Sequence, residues 1–223
     1  MRRRFRHWTP RYIYFRLGVM MHERVHPDAP WFAKSMVEIL ENWLKPWDRG
    51  IEWGSGRSTV WFAERVGSLV SVEHNPIWYE QIGAKLRMRG LQNVEYHLCP
   101  NNHDYLGIAE MYPPESFDFC LVDGLERDQC AVSAVSLVKP GGIVIVDNCN
   151  WYLPTKSRSP FSRTTQQGPY TKKWAEYGDL VESWRRIWTT NGVNDTALWV
   201  KPVGALEANH SVGRLEQLSL RQH

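Results

Sequence analysis

The chain has 223 residues, of which 27 are lysine or arginine and 24 are aspartate or glutamate, so its formal net charge is +3. A hydrophobic fraction of 43% with so small a net charge excludes an intrinsically disordered chain, and the length favours one domain with elaborations. No apolar run of ~18 residues occurs, which excludes a membrane-spanning helix.

The N-terminal segment, residues 1–29, is predicted to be a basic arm. Residues 1–22 contain six arginines and no acid. A signal peptide is not predicted, because Arg16 interrupts the apolar run and no small-residue cleavage site follows it. Two interpretations stay open: a solvated arm, or a segment that contacts an anionic surface, acceptor or partner.

Helix and strand patterns alternate through residues 30–203, which we assign to one domain. The predicted helices are 31–44, 58–66, 76–89, 104–111 and 128–138; the predicted strands are 51–53, 69–73, 94–98, 117–122, 143–146, 184–189 and 196–201. Apolar strands alternating with helices indicate a Rossmann-like, doubly wound α/β fold with helices on both faces of the sheet. A turn at Asn191-Gly192 joins the last two strands, so we expect seven strands, mostly parallel, with one antiparallel strand.

Polar or glycine residues follow each of the first five predicted strands. Sheets of this kind bind ligands at the carboxyl ends of their strands, near the switch in strand order. We therefore expect these five groups of residues to line one crevice. They are residues 54–58, 73–75, 99–102, 123–124 and 147–148.

The turn after the first strand is glycine-rich. Gly54 permits a tight turn, and Gly56 lets a ligand approach the backbone. A dinucleotide fingerprint needs a third glycine three residues after Gly56, where Thr59 stands, and this argues against NAD or FAD. Glu73 ends the second strand 19 residues after Gly54, where a carboxylate can accept the hydroxyls of a ribose.

These motifs together resemble the class I S-adenosylmethionine-dependent methyltransferases. The resemblance covers roughly residues 30–200, and it is greatest to the small-molecule group that includes catechol and sugar O-methyltransferases. It is carried by Glu52-x-Gly54-x-Gly56-x-Ser58, by Ser71-Val72-Glu73-His74-Asn75, by Asp-Phe-Cys-Leu-Val-Asp-Gly at 118–124, and by Lys-Pro-Gly-Gly at 139–142 with Val146-Asp147-Asn148.

The resemblance implies S-adenosyl-L-methionine as the cofactor. It implies that Gly54 and Gly56 pass under the methionine part of that cofactor, and that Glu52 and Ser58 hold its amino and carboxylate groups. Glu73 is implied to bind the ribose. The full implied cofactor-binding set is Glu52, Gly54, Ser55, Gly56, Ser58, Glu73, His74, Asn75, Cys99, Pro100, Asn101, Asp123 and Gly124.

The resemblance also implies catalytic roles beside the transferred methyl group. Asp123 is implied to stand beside the methyl group and the acceptor. The general base is open: Glu126 is one candidate, and Arg127, His74 and His103 are others.

A metal ion is a further possibility that the resemblance raises. In metal-dependent members, residues matching Asp123, Asp147 and Asn148 hold Mg²⁺, which prefers oxygen ligands. The alternative is that the Asp147-Asn148 pair only caps its strand and ties the following loop. The sequence leaves both interpretations open.

The acceptor side is predicted from residues 151–178, an insertion or lid. Trp151 and Tyr152 directly follow the fifth strand, in the position of an acceptor-pocket wall. Arg158 and Arg163 can grip a phosphate or carboxylate by charge-assisted bonds. We therefore expect an oxygen of a small polar molecule or glycan, in particular an anionic one, to receive the methyl group; a solvated lid is the alternative.

Two other functions stay open. An RNA or protein methyltransferase is compatible with the arginine-rich arm and a sequence pI near 8.7, although no nucleic-acid-binding module occurs, so nucleic acid is not the expected partner. The second of these functions is that of a protein that has the same fold and binds the cofactor but catalyses no reaction. A homodimer is left open. The spacing of the four cysteines fits neither a zinc site nor a disulfide framework, and this predicts a reducing, cytoplasmic location. Residues 204–223 are predicted to be a loose tail.

Overall fold

The computed structural model describes residues 9–204, and its centre is a seven-stranded sheet. The strands are β1 (Arg49–Trp53), β2 (Ser68–Glu73), β3 (Val94–Leu98), β4 (Phe117–Val122), β5 (Val138–Asp147), β6 (Arg185–Thr190) and β7 (Asp195–Val200). Their spatial order is β3-β2-β1-β4-β5-β7-β6. β7 pairs antiparallel with β5 and β6, and the other neighbours are parallel. The predicted Rossmann-like α/β fold with one antiparallel strand is confirmed.

Seven α-helices lie around this sheet in the described part of the chain. They are α1 (Pro10–Val25), α2 (Lys34–Trp43), α3 (Arg57–Ala63), α4 (Pro76–Met88), α5 (Asn102–Gly107), α6 (Arg127–Leu137) and α7 (Lys172–Leu180). The sequence analysis did not predict α1 and α7. A start signal for α1 was present, because Thr9 caps the helix by accepting from the Tyr12 N–H, and Pro10 occupies the first turn.

Helices cover both faces of the sheet. Because neighbouring residues of a strand point to opposite faces, they contribute to two different core clusters. Cys120 and Val122 of β4 belong to a core cluster with side chains of α6 and α7. Phe119 and Leu121 belong to the opposite cluster, with side chains of α2 and α3. Burial on both faces explains why residues 143–146 of β5 are all apolar.

The segment after β5 is packed onto the body of the protein by aromatic rings. Tyr152 stacks on Trp174 with ring centroids 5.1 Å apart, and Trp174 meets Tyr177 edge to face at 5.6 Å. Tyr177 in turn contacts Trp199 of β7 at 5.2 Å. These contacts anchor α7, which begins inside the predicted insertion 151–178 and ends two residues beyond it, to one face of the sheet.

Parts of the predicted domain division lie outside the described residues. They are residues 1–8 of the basic arm and residues 205–223 of the C-terminal tail. Within residues 9–204, no helix has both the length and the hydropathy needed to cross a bilayer.

Candidate functional site

The carboxyl ends of β1, β2, β4 and β5 open into a cleft of about 660 Å³. This volume is within the range of small-molecule binding sites. Ten residues of the predicted strand-end groups lie in its wall, so the predicted crevice exists. The wall consists of Arg16, Glu23, Trp31, Gly54, Ser55, Arg57, Glu73, His74, Asn75, Trp78, Asp123, Gly124, Arg127, Asp147, Asn148 and Asn194.

The glycine turn after β1 lies against the turn after β4. Gly54 has φ +100°, and a Cβ on it would lie 2.6 Å from the Gly124 nitrogen. A Cβ on Gly124 would meet the Gly54 Cα at 2.9 Å. Only glycine therefore permits this contact. Gly56 differs, because its φ of 176° is extended and a Cβ there would meet nothing within 4 Å. The chain's own packing leaves that space open.

Glu73 is held by donors from the turns after both β1 and β2. Its Oε1 accepts the N–H groups of His74 (2.9 Å) and Asn75 (2.8 Å). Its Oε2 accepts the N–H (3.1 Å) and the hydroxyl (2.8 Å) of Ser55. The side chain is only 3% exposed, although it contributes to the cleft wall. These donors fix the carboxylate in one position.

His74 contacts Glu73 in the same wall. Its buried Nδ1 lies 3.0 Å from Glu73 Oε1. A carboxylate oxygen at that distance is a partner for an Nδ1–H group, so this contact helps to fix the two side chains relative to each other.

Glu52 and Ser58 are not in the cleft wall. The buried carboxylate of Glu52 accepts the hydroxyls of Ser58 (2.9 Å), Ser71 (2.7 Å) and Thr59. Burial raises the pKa of Glu52 to about 7. The two side chains hold the first turn of α3 against β1 and β2, behind the glycine turn. The structure does not bring them to the surface where the resemblance implied contact with the amino-acid end of a cofactor.

Four further candidates also lie outside the wall. Cys99 is buried, and Pro100 and Asn101 lie between β3 and α5, where Asn101 caps the helix. The Glu126 carboxylate accepts from the Asn102 side-chain amide at 2.6 Å. The structure therefore does not bring Glu126 to the position that a general base in the cleft would need.

Arg127 ties the turn after β4 to the end of β5. Its Nε donates to the Gly124 carbonyl (2.9 Å), and its Nη1 donates to the Asp147 carbonyl (2.8 Å) and to Asn148 Oδ1 (3.4 Å). Its Nη2 lies 2.7 Å from the Asp123 carbonyl and 2.8 Å from Asp123 Oδ1. All five N–H groups of the guanidinium thus have an acceptor. Arg127 cannot act as a general base.

The predicted Mg²⁺ site at Asp123, Asp147 and Asn148 is not supported. The Arg127 guanidinium already places a positive charge among these three residues, and a second cation beside it would be repelled. The Asp147 carboxylate is buried and accepts from the Thr196 hydroxyl at 2.5 Å. Residues 9–204 contain no cluster of three metal-ligating side chains. The residues present do not fit a metal ion.

Sequence patterns did not indicate the part of the wall that α1 and its neighbours supply. Arg16, Glu23 and Trp31 line the cleft, and the centre of the Trp31 ring lies 5.3 Å from the guanidinium of Arg57, a member of the predicted group 54–58. No strand-end motif could have indicated them, because their approach depends on how α1 docks.

Two aromatic residues expected at the acceptor pocket are not in this wall. Tyr152 stacks on Trp174, and Trp151 packs near Phe161 with ring centroids 6.0 Å apart. The Arg163 guanidinium donates to the carbonyls of residues 167 and 168, within its own segment. Trp151, Tyr152 and Arg163 therefore do not line the cleft at the strand ends, where the sequence placed an acceptor-pocket wall.

Comparison with solved structures shows that this chain shares its fold with known proteins. No family model and no curated protein matches the sequence. A proposed caffeoyl-CoA O-methyltransferase from Staphylococcus aureus is 15% identical, with a TM-score of 0.56 over 88% of this chain and 95% of that one. A SAM-dependent methyltransferase from Aquifex aeolicus is 15% identical (TM-score 0.49; 74% and 88% covered). An rRNA methylase from Streptococcus thermophilus is 11% identical (TM-score 0.49; 74% and 93% covered). At these identities the likeness shows the fold alone.

Proposed function

We propose that this protein is an S-adenosylmethionine-dependent methyltransferase that transfers a methyl group to an oxygen of a small, anionic polar molecule or glycan. The observation that carries the proposal is the meeting of the Gly54 bend, the Glu73 carboxylate and Gly124 in one cleft wall at the strand ends. In a doubly wound sheet this edge is where ligands bind.

The cofactor side of the cleft fits an adenosyl ligand. Glu73 is fixed where two ribose hydroxyls can approach it, and the Ser55 hydroxyl has a second partner, Tyr96 Oη, at 2.6 Å. Ser55 can therefore turn toward Tyr96 and leave Glu73 Oε2 to a ligand hydroxyl. Gly56 leaves space for close approach of the ligand to the backbone.

The acceptor side of the proposed site lies beside Asp123. When bound, the cofactor supplies an already activated methyl group, so the protein needs mainly to align the acceptor and exclude water. The Asp123 side chain is 27% exposed, and it can orient an acceptor hydroxyl by accepting its hydrogen bond. Arg16 and Arg57 lie in the same wall, where each guanidinium can form charge-assisted hydrogen bonds with an anionic group of the acceptor.

The test has two stages, both on the full chain. Calorimetric titration with S-adenosylmethionine and S-adenosylhomocysteine is expected to show binding of both at a single site. Transfer of labelled methyl from the cofactor is then measured on hydroxylated carboxylates, sugar phosphates, RNA and peptides. Methylation of an anionic hydroxyl compound is the expected result.

The other outcomes separate the competing functions. Salt-sensitive methylation of RNA, or methylation of a peptide, would replace the proposed acceptor class. Cofactor binding with no turnover on any acceptor would indicate an idle binding protein. Failure of every adenosyl compound to bind would overturn the proposal.

A cytoplasmic location is part of the same proposal. All four cysteines, Cys99, Cys120, Cys130 and Cys149, are free and buried. Unpaired cysteines are usual in reducing compartments.

A further inference from the structure

Helix α1 has two distinct faces. Its half-buried residues recur at helical spacing and turn toward the body of the protein; they are Tyr12, Phe15, Val19, His22 and Glu23. No residue of the helix is fully buried. Its large exposed apolar residues, between 41% and 75% accessible, are Ile13, Tyr14, Leu17, Met20, Met21 and Val25. We call these six residues the apolar stripe.

The apolar stripe lies opposite the face that packs on the protein. At 100° per residue its six members fall within about 140° of arc, centred on the side away from the half-buried residues. It runs along about 18 Å of helix from Ile13 to Val25. Nothing among residues 9–204 covers it, since every member is exposed. The exposed Arg24, near the C-terminal end of the helix, is the one charged residue of α1 within this arc. Exposed surface that is otherwise apolar over such a length marks an interaction site.

The charge around the apolar stripe indicates what it contacts. Six arginines and no acidic residue lie in residues 1–22, giving a local formal charge of +6. Arg11 and Arg16 belong to α1 itself and are exposed at the flanks of the stripe. Two copies of such a segment would repel each other, which disfavours a homodimer through this face. Basic residues beside an apolar helical face are typical of helices that lie in the plane of an anionic membrane surface.

We propose that α1 docks this protein on an anionic lipid surface, with the apolar stripe inserted among the acyl chains and the arginines at the headgroups. Each arginine near such a surface strengthens binding, and this contribution is screened by salt. Arg16, at one edge of the stripe, and Glu23, among the half-buried residues, both line the cleft wall. Docking would therefore hold the cleft close to the lipid surface. The proposal does not depend on the reaction that the cleft performs.

Co-sedimentation of the full chain with lipid vesicles tests the proposal. Vesicles of phosphatidylcholine alone are compared with vesicles in which a third of the lipid is phosphatidylglycerol. We expect partitioning onto the anionic vesicles to be at least about tenfold greater, and to fall steeply as sodium chloride is raised.

A matched pair of variants assigns the binding to the apolar stripe. Met20→Gln with Met21→Gln is expected to reduce partitioning onto anionic vesicles about tenfold, because two apolar side chains no longer insert. Met88→Gln with Met111→Gln removes two equally exposed methionines elsewhere and is expected to bind like the wild type. Melting temperatures of both variants verify that they fold.

A third variant tests the charge. Replacing Arg2, Arg3, Arg4 and Arg6 by glutamine is expected to abolish most of the salt dependence while leaving the melting temperature unchanged. Equal binding to neutral and anionic vesicles, wild-type binding by the Met20/Met21 variant, or no vesicle binding would each overturn the proposal. Concentration-dependent dimerisation lost in the Met20/Met21 variant, without vesicle binding, would assign the stripe to a second copy instead. Retention on an acidic polypeptide but not on vesicles would assign it to a protein partner.

Discussion

The two sides of the site hold their carboxylates in different ways. On the β1–β2 side, Glu52 accepts three hydroxyls and Glu73 accepts backbone N–H groups and the Ser55 hydroxyl. On the β4–β5 side, one guanidinium, that of Arg127, reaches both Asp123 and the backbone of Asp147. The first half is stabilised by many small dipoles. In the second half the Asp123 carboxylate depends on a single charge, and the Asp147 carboxylate accepts the Thr196 hydroxyl.

This difference predicts how each half responds to change. Loss of one donor among several leaves a carboxylate still largely satisfied, whereas loss of the only cation leaves buried negative charge uncompensated. It also separates the proposed roles, because a cleft side held by neutral donors can admit a ligand's hydroxyl groups, while the side held by Arg127 is closed to a second cation.

The largest effect is expected from Arg127→Met. The substitution keeps a long side chain but removes all five donors, leaving the Asp123 carboxylate without its cation and the carbonyls of Gly124 and Asp147 without their donor. We expect the free energy of unfolding to fall by about 2–4 kcal/mol, somewhat below the value for a fully buried pair because Asp123 is partly exposed. Urea denaturation at neutral pH measures this. Arg89→Met, which removes surface ion pairs with Asp28 and Glu64, is the control and should change little. Equal stability of the two variants would contradict the comparison.

The second prediction concerns the pH dependence that Glu52 creates. Burial raises the pKa of its carboxyl from 4.5 to about 7, so the folded state keeps a proton that the unfolded state has lost. Stability from this group is therefore greatest below about pH 4.5, declines as the pH rises to about 7, and is constant above it.

Glu52→Gln removes this titration while preserving the shape and the acceptor oxygen. Relative to the wild type, we expect the variant to gain about 1–3 kcal/mol between about pH 5 and pH 8. The free energy of unfolding is measured at both pH values for both proteins. Burial also raises the pKa of Asp147, to about 8, but Asp147 is present in both proteins and its contribution cancels in the comparison. Parallel pH profiles would show that Glu52 stays ionised when folded.

The third prediction tests the role of Glu73 in ligand binding. Glu73→Gln presents an amide N–H₂ where the wall supplies N–H donors, and removes the charge that would accept ribose hydroxyls. Binding of S-adenosylhomocysteine is expected to weaken by about 1–3 kcal/mol, as measured by calorimetry. Glu95→Gln, at an exposed carboxylate of β3, should bind like the wild type. An unchanged affinity in Glu73→Gln would remove the ribose assignment.

The smallest effect is expected from magnesium. Because Arg127 already lies among Asp123, Asp147 and Asn148, millimolar MgCl₂ should shift the melting temperature no more than sodium chloride of equal ionic strength. Calorimetric titration of Mg²⁺ should likewise show no binding at this site. Specific Mg²⁺ binding that Asp123→Asn abolishes would restore the metal site.

Much of this molecule was predictable because its signals are local. Alternating apolar strands and helices predicted the sheet, and Asn191-Gly192 predicted the hairpin before β7. The glycine turn at Gly54 and the acid at Glu73 were recognisable because parallel strands bring their carboxyl ends to one edge, whatever packs around them.

The sequence by itself therefore determined the fold class and the edge of the sheet where a ligand would bind. The tertiary structure alone decided that Glu52 turns inward while Glu73 reaches the cleft, that Arg127 lies where a metal was considered, and that α1 closes one wall while exposing the apolar stripe. Each of these depends on contacts between residues far apart in the chain. The free energy of burying a charge or an apolar face is set by those contacts and not by the local pattern.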